Sequence, residues 1–181
     1  MNETITPQQL KEEGEAAYRQ GNYMAAAHAY EAAAQGYRAT DNELAAAEML
    51  NNSSVAFLQA GEAQRALEIV NETPETFSNA GDTRRQGMAF GNQGAALEAL
   101  KRYPEAIEAY QRSAELLKQA GEGELRANVL QSLSALLLKS GQQLEALAVM
   151  QAGLEGVKRP NPKQRILKKL LHMPFEFLEK K

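Results

Sequence analysis

The chain repeats itself with a step of forty residues, and this feature restricts its fold more than any other. One column is alanine in every copy, at Ala26, Ala66, Ala106 and Ala146. A second column holds small residues, at Gly14, Ser54, Gly94 and Ser134, and a third holds large apolar ones, at Tyr30, Val70, Tyr110 and Met150. Seven columns keep one character in phase, so we expect one structural unit built four times.

Each copy has the pattern of a helical hairpin. In the first helix of a copy (helix A), small or apolar residues fall at i, i+4 and i+7, as in Leu50, Ser54 and Phe57, and line one stripe. A turn with glycine in three of four copies, and Lys101 in the other, leads to the second helix (helix B). The predicted helices lie near 7–20, 22–39, 42–60, 62–79, 82–100, 103–120, 123–140 and 142–157. Pro74 should kink or interrupt the fourth, because it removes a backbone donor and clashes with the preceding turn.

The A–B turns resemble those of tetratricopeptide (TPR) repeats. The segment 18–23 (YRQGNY), followed by Ala26 and Tyr30, resembles the TPR signature, and the segment 101–110 (KRYPEAIEAY) resembles it again. The usual TPR period is about 34 residues; the step here resembles a lengthened variant found in spindle-orientation and G-protein-regulator scaffolds. The resemblance implies an all-α, right-handed TPR superhelix of four helical hairpins over residues 1–160, with repeats at about 7–40, 41–80, 81–120 and 121–160. Residues 161–181 would add a C-terminal capping helix.

The resemblance implies a protein–protein interaction scaffold or adaptor rather than an enzyme. Cysteine is absent, and His28 and His172 lie far apart without metal-site spacing, so we expect no catalytic residues, no metal and no cofactor. Residues 1–157 carry 12 basic and 21 acidic side chains, a net charge of −9, which disfavours nucleic acid. No signal peptide or transmembrane segment is evident, so we expect a soluble, cytoplasmic protein with a protein or peptide ligand.

A peptide groove is predicted on the stripe of each helix A that lies opposite the packed one. Its residues are Lys11, Glu15 and Arg19 in the first copy; Asn51, Asn52, Val55 and Gln59 in the second; Met88, Asn92, Ala95 and Glu98 in the third; and Gln131, Ser132, Ala135 and Lys139 in the fourth. Asn52, Asn92 and Ser132 form a ladder of short polar side chains suited to a peptide backbone, beside a shallow floor of Val55, Ala95 and Ala135. The alternative, that these are ordinary solvated helix positions, stays open.

Chaperone-binding TPR domains hold a C-terminal carboxylate in a clamp of five side chains, and the resemblance allows each to be compared. Lys11 and Asn52 match the pattern, whereas Glu15, Met88 and Asn92 replace an asparagine, a lysine and an arginine. Two basic groups are lost, so chaperone carboxylates are not the expected ligand.

The C-terminal tail differs from the rest of the chain. Residues 158–181 carry 8 basic and 2 acidic side chains, a net charge of +6. An apolar stripe of Ile166, Leu167, Leu170 and Leu171 lies opposite the basic residues. This amphipathic helix would suit a cap on the last repeat, an anionic membrane surface, or contact with a second copy in a homodimer or larger homo-oligomer. Self-assembly and a peripheral membrane adaptor are therefore the alternative functions.

Overall fold

The computed structural model describes residues 5–155 and Arg165, and these form an all-α fold without a β-strand. The described helices are α1 (Pro7–Arg19), α2 (Tyr23–Arg38), α3 (Glu43–Gln59), α4 (Ala63–Val70), α5 (Thr73–Asn79), α6 (Thr83–Ala99), α7 (Tyr103–Gln119), α8 (Gly123–Lys139) and α9 (Gln143–Glu155). Helices α1, α3, α6 and α8 are the A helices, and α2, α4 with α5, α7 and α9 are the B helices of four hairpins. The prediction of an all-α repeat fold is confirmed. The predicted capping helix at 161–181 falls, apart from Arg165, outside the described residues.

Every connection between successive hairpin helices uses one residue in the left-handed conformation. These residues stand twenty apart, at Gly21, Asp41, Gly61, Gly81, Lys101, Gly121 and Gly141. The amide that follows each one reaches back to a carbonyl in the last helical turn, as Arg102 N does to Leu97 O at 2.9 Å. This is the Schellman arrangement, in which orphan carbonyls at a helix end are satisfied. One of the seven repeated columns therefore supplies the carbonyls that accept the A–B turn bonds: Ala17, Phe57, Leu97 and Leu137.

Lys101 carries a strained backbone, and relieving it should stabilise the protein. Its φ is 60°, in a region that costs a residue with a side chain about 1–2 kcal/mol and costs glycine little. Allowing for the greater entropy of glycine in the unfolded chain, we expect Lys101→Gly to raise the free energy of unfolding by about 0.5–1 kcal/mol. Urea denaturation measures this change in the free energy of unfolding. Gly61→Ala is the matched control, because a Cβ there meets no atom within 4 Å and only backbone strain is added. Gly61→Ala should lower the free energy of unfolding. A lower free energy of unfolding in Lys101→Gly would contradict the argument.

The B helices of the first three copies each pack between their own A helix and the A helix of the next copy. Thus α2 contacts α1 and α3, α4 and α5 contact α3 and α6, and α7 contacts α6 and α8. The invariant alanine column is fully buried in all four copies, at Ala26, Ala66, Ala106 and Ala146. Because alanine has only a Cβ, the two helix backbones can approach closely at this point.

The column of small residues alternates between two ways of packing. In the first and third copies, glycine receives a tyrosine ring: a Cβ on Gly94 would lie 2.7 Å from Tyr110 Cδ1. In the second and fourth copies a buried serine donates to a carbonyl of helix B, as Ser54 does to Ala66 O at 2.9 Å. The stacking period is forty residues, but the packing chemistry repeats every eighty.

The predicted interruption at Pro74 is confirmed, because α4 ends at Val70 and α5 begins at Thr73. An unbroken helix would pair the amide of residue 74 with the carbonyl of Val70, and proline has no such amide. The buried Thr73 hydroxyl donates to Val70 O instead, at 3.0 Å. The break is tied to α6 by a 2.7 Å hydrogen bond from Gln93 Nε2 to Asn71 Oδ1.

None of the helices in the described part of the chain has both the length and the hydrophobicity needed to span a bilayer.

Candidate interaction surface

The A helices present one continuous surface, which we call the A face: the exposed and half-buried positions of α1, α3, α6 and α8. Successive A helices contact one another directly at α3–α6 and α6–α8. Side chains also join them across the copies: Asn92 Nδ2 donates to Asn51 Oδ1 at 3.0 Å, and Glu48 pairs with both Lys11 and Arg85. The face therefore acts as one surface over three consecutive copies.

Most residues of the predicted groove have access to solvent on this face. The half-buried ones are Lys11, Glu15, Asn52, Val55, Met88, Asn92, Ala95, Glu98 and Ser132. The exposed ones are Arg19, Gln59, Gln131, Ala135 and Lys139. The central copies are thus more enclosed than the end copies, as expected where helices flank the surface on both sides.

Asn51 differs from the expectation that it lies open to a guest. Its exposed fraction is only 6%, and its Oδ1 accepts from Asn92 Nδ2. The link between copies therefore runs from Asn51 to Asn92, not directly along the predicted ladder from Asn52 to Asn92. Because the side-chain nitrogen of Asn92 donates to Asn51, its side-chain oxygen, Oδ1, is left as an acceptor. This oxygen has no hydrogen-bond partner among the described residues.

Tyr110 connects Gly94, in the column of small residues, with Glu98, a predicted groove residue. Its ring lies over Gly94, and its hydroxyl donates to Glu98 Oε2 at 3.1 Å. Burial, reinforced by the negative charge of Glu98, raises the pKa of Tyr110. The phenol therefore stays protonated at neutral pH and remains a donor. The sequence placed Tyr110 only in a column of large apolar residues. Glycine is followed by tyrosine sixteen residues later in both the first and the third copy, at Gly14–Tyr30 and Gly94–Tyr110, and this pairing was a usable signal.

Lys139 lies at the end of α8, the last A helix of the A face. Its Nζ lies 4.9 Å from the centroid of the Tyr103 ring, within the range of a cation–π contact. Glu98 accepts from the Tyr110 hydroxyl and interacts electrostatically with Lys139, so the three side chains form one polar site.

A comparison with protein families finds a match in the second half of the chain. The family described as tetratricopeptide repeat matches residues 85–159, which covers most of α6 and all of α7, α8 and α9. The first two hairpins share the twenty-residue helix step, the left-handed turns and the buried alanines of that region. This match and the all-helical hairpins together support a TPR-type repeat protein. A search of curated proteins gives no significant match to it.

In this TPR-type protein, the two side chains that match the chaperone clamp are differently placed. Lys11 is paired with Glu48, its Nζ 3.8 Å from Oε1, whereas Asn52 is half-buried and hydrogen-bonds to no described side chain. Glu48 and Arg85 were not among the predicted groove residues, although Glu48 stands in the same repeat column as Met88, which was. Glu48 lies one helical turn before Asn52, and Arg85 lies two turns before Asn92.

The opposite face of the TPR hairpins is joined by ion pairs between B helices. Arg65 pairs with Glu31 at 2.8 Å, and Arg38 pairs with Glu72 at 3.0 Å. They border a cavity of about 210 Å³ between α2 and α4. Within the described residues, no group of three or more His, Asp or Glu side chains has an arrangement that could hold a metal ion.

Proposed function

We propose that this TPR-type protein is a scaffold or adaptor that binds an extended peptide or protein segment along the A face. TPR repeats are in general protein–protein interaction modules. The observation that carries the proposal is the Asn51–Asn92 hydrogen bond, because it fixes the Asn92 carboxamide with its acceptor toward solvent. A backbone amide of a guest supplies the matching donor whatever the sequence of the guest.

The surroundings of Asn92 support close approach by a main chain. Ala95, one turn further along α6, and Val55 on α3 are half-buried and present little bulk. In a TPR superhelix the A helices line the concave side, so the A face would enclose such a segment. The charges that border this floor are paired within the chain, which leaves its middle uncharged.

Replacing both Asn52 and Asn92 with alanine should weaken capture of the partner by about tenfold. A hydrogen bond contributes on the order of 1 kcal/mol, and the change also leaves Asn51 without its donor. A partner would first be isolated on the wild-type chain from the native cells, and its affinity for each variant then measured by calorimetry.

Asn79→Ala is the matched control, because Asn79 is an exposed asparagine at the end of α5, which belongs to a B helix and carries no predicted groove residue. It should leave affinity unchanged, and circular dichroism should show equal helicity for all three proteins. Equal affinity of the double variant and wild type would rule out recognition through the asparagines.

Self-assembly is the second candidate, and the last hairpin favours it. Leu147 is 38% exposed, whereas its counterpart two periods earlier, Leu67, is 4% exposed because α4 packs against α6. Leu138 and Leu144 on the same hairpin are also exposed. Homodimerisation through this end would cover them.

Light scattering of the full chain and of a 1–160 truncation separates the two functions. Self-assembly predicts a mass above that of the monomer for the full chain, and a monomeric mass would dismiss it. The membrane-surface variant depends on residues outside those described, and flotation with anionic liposomes is its test. A cytoplasmic location stays a prediction from the sequence.

A further inference from the structure

One carboxylate on the A face joins cations from the two neighbouring copies. Glu48, on α3, lies with Oε2 3.0 Å from Arg85 Nη2 on α6 and with Oε1 3.8 Å from Lys11 Nζ on α1. All three side chains are about one-third exposed, at 34%, 35% and 29% respectively. They are therefore screened less than a fully exposed pair, yet remain within reach of a bound partner.

These three charged side chains lie beside the ladder residues Asn52 and Asn92. Glu48 precedes Asn52 by one helical turn, and Arg85 precedes Asn92 by two. The charged side chains therefore lie at one end of the uncharged surface that contains these two asparagines. Further acidic side chains lie near these cations: Asp82 Oδ2, at the N-cap of α6, is 2.8 Å from Arg85 Nη1, and Glu12 and Glu15 lie beside Lys11 on α1.

We propose that Glu48 is a specificity-determining residue, an internal counter-ion that occupies the position between Lys11 and Arg85 where an acidic group of a partner would otherwise bind. The A face then rejects acidic segments and free C-terminal carboxylates, and accepts segments that are uncharged at this point. This inference rests on the proposed function, since it names the class of segment that the A face takes.

The physical basis is competition between two carboxylates for the same cations. Glu48 is attached to the protein, so its carboxylate is present at the site without loss of translational freedom, whereas a partner's carboxylate must give that freedom up. An approaching acid also meets repulsion from Glu48 and Asp82. Specificity of this kind arises from penalties against the wrong partner as much as from attraction to the right one.

Glu48→Gln should convert this end of the A face into an anion site. Glutamine keeps the shape of the side chain and removes its charge, so Lys11 and Arg85 lose their shared counter-ion. The probe is an acetylated tetraglutamate peptide with a free C-terminus, carrying a fluorophore. We expect its affinity, measured by anisotropy with the full chain, to rise at least about tenfold over wild type. The gain should disappear in Glu48→Gln/Arg85→Gln and fall as salt increases.

Two controls make the result specific. Glu124→Gln removes one exposed acidic charge from another A helix, α8, and tests whether net charge alone explains the gain. Glu48→Met installs the residue that the third copy carries at this column, Met88, and replaces Glu48→Gln if that variant does not fold. A gain of equal size in Glu124→Gln, or none in either Glu48 variant, would overturn the proposal.

The outcome is separable from that of the proposed function, because the probe is synthetic and the asparagine test uses the native partner. Loss of partner capture in the asparagine variants with no gain in the Glu48 variants would keep the A face as the binding surface and remove Glu48 as its selector. The reverse result would show an anion site held closed by Glu48 and would count against peptide recognition through the asparagines.

Discussion

Gly94→Ser should lower the free energy of unfolding by about 2 kcal/mol, although serine is the better helix former of the two. A Cβ at this position would lie 2.7 Å from Cδ1 and 2.8 Å from Cε1 of Tyr110. The ring cannot move aside freely, since it is 4% exposed and its hydroxyl is bonded to Glu98. Thermal and urea unfolding, followed by circular dichroism, measure the loss.

The second and fourth copies show how the loss should be repaired. There a serine donates to a helix B carbonyl and faces Val70 or Met150 instead of tyrosine. Gly94→Ser/Tyr110→Val recreates that pair, with Ala106 O as the acceptor equivalent to Ala66 O. We expect the double variant to be more stable than the sum of the single variants by about 1–2 kcal/mol.

The control is Ala99→Ser, which places the same hydroxyl at an exposed position of α6 and should cost less than about 0.5 kcal/mol. Additive behaviour of the Gly94 and Tyr110 changes would show that the glycine is not required by the ring.

Phe77→Ala should be the most destabilising single truncation, at about 3–5 kcal/mol. Phe77 is fully buried and is the largest side chain with so little exposure. It lies on α5, a helix of seven residues that is too short to persist without tertiary contacts. Its backbone carbonyl also accepts the turn bond from Asp82 N at 2.9 Å, so loss of the buried ring would loosen the residue that joins α5 to the start of α6.

Calorimetry gives the size of this effect, and amide hydrogen exchange locates it. Protection should fall first in α5 and in the first turn of α6, because these depend on Phe77 for their position. Phe77→Leu, which fills most of the volume, should cost no more than about 1.5 kcal/mol. A loss below 1 kcal/mol for the alanine variant would mean that α5 is held by other contacts.

Elements that depend on local chemistry were predicted from the sequence with little error. The hairpins, the step between them and the interruption at Pro74 all follow from periodicity and from what proline and glycine do to a backbone. Lys101 was recognised as a departure from glycine, and its positive φ shows that the turn overrides the preference of the residue.

Elements that depend on how helices rotate against one another were not predicted. Asn51 and Asn52 are identical in type and adjacent, so only packing decides that the first is buried and bonded to Asn92. The pairing of Glu48 with cations from the two neighbouring copies also crosses helix boundaries that no local pattern describes.

The sequence by itself determined the four-hairpin repeat and its turns, because hydrogen bonding within one helix and the steric demands of single residues act over a few positions. Tertiary structure alone decided which polar side chains face each other across the A face. Those contacts join residues about forty apart, and their distances depend on the angle at which neighbouring helices pack.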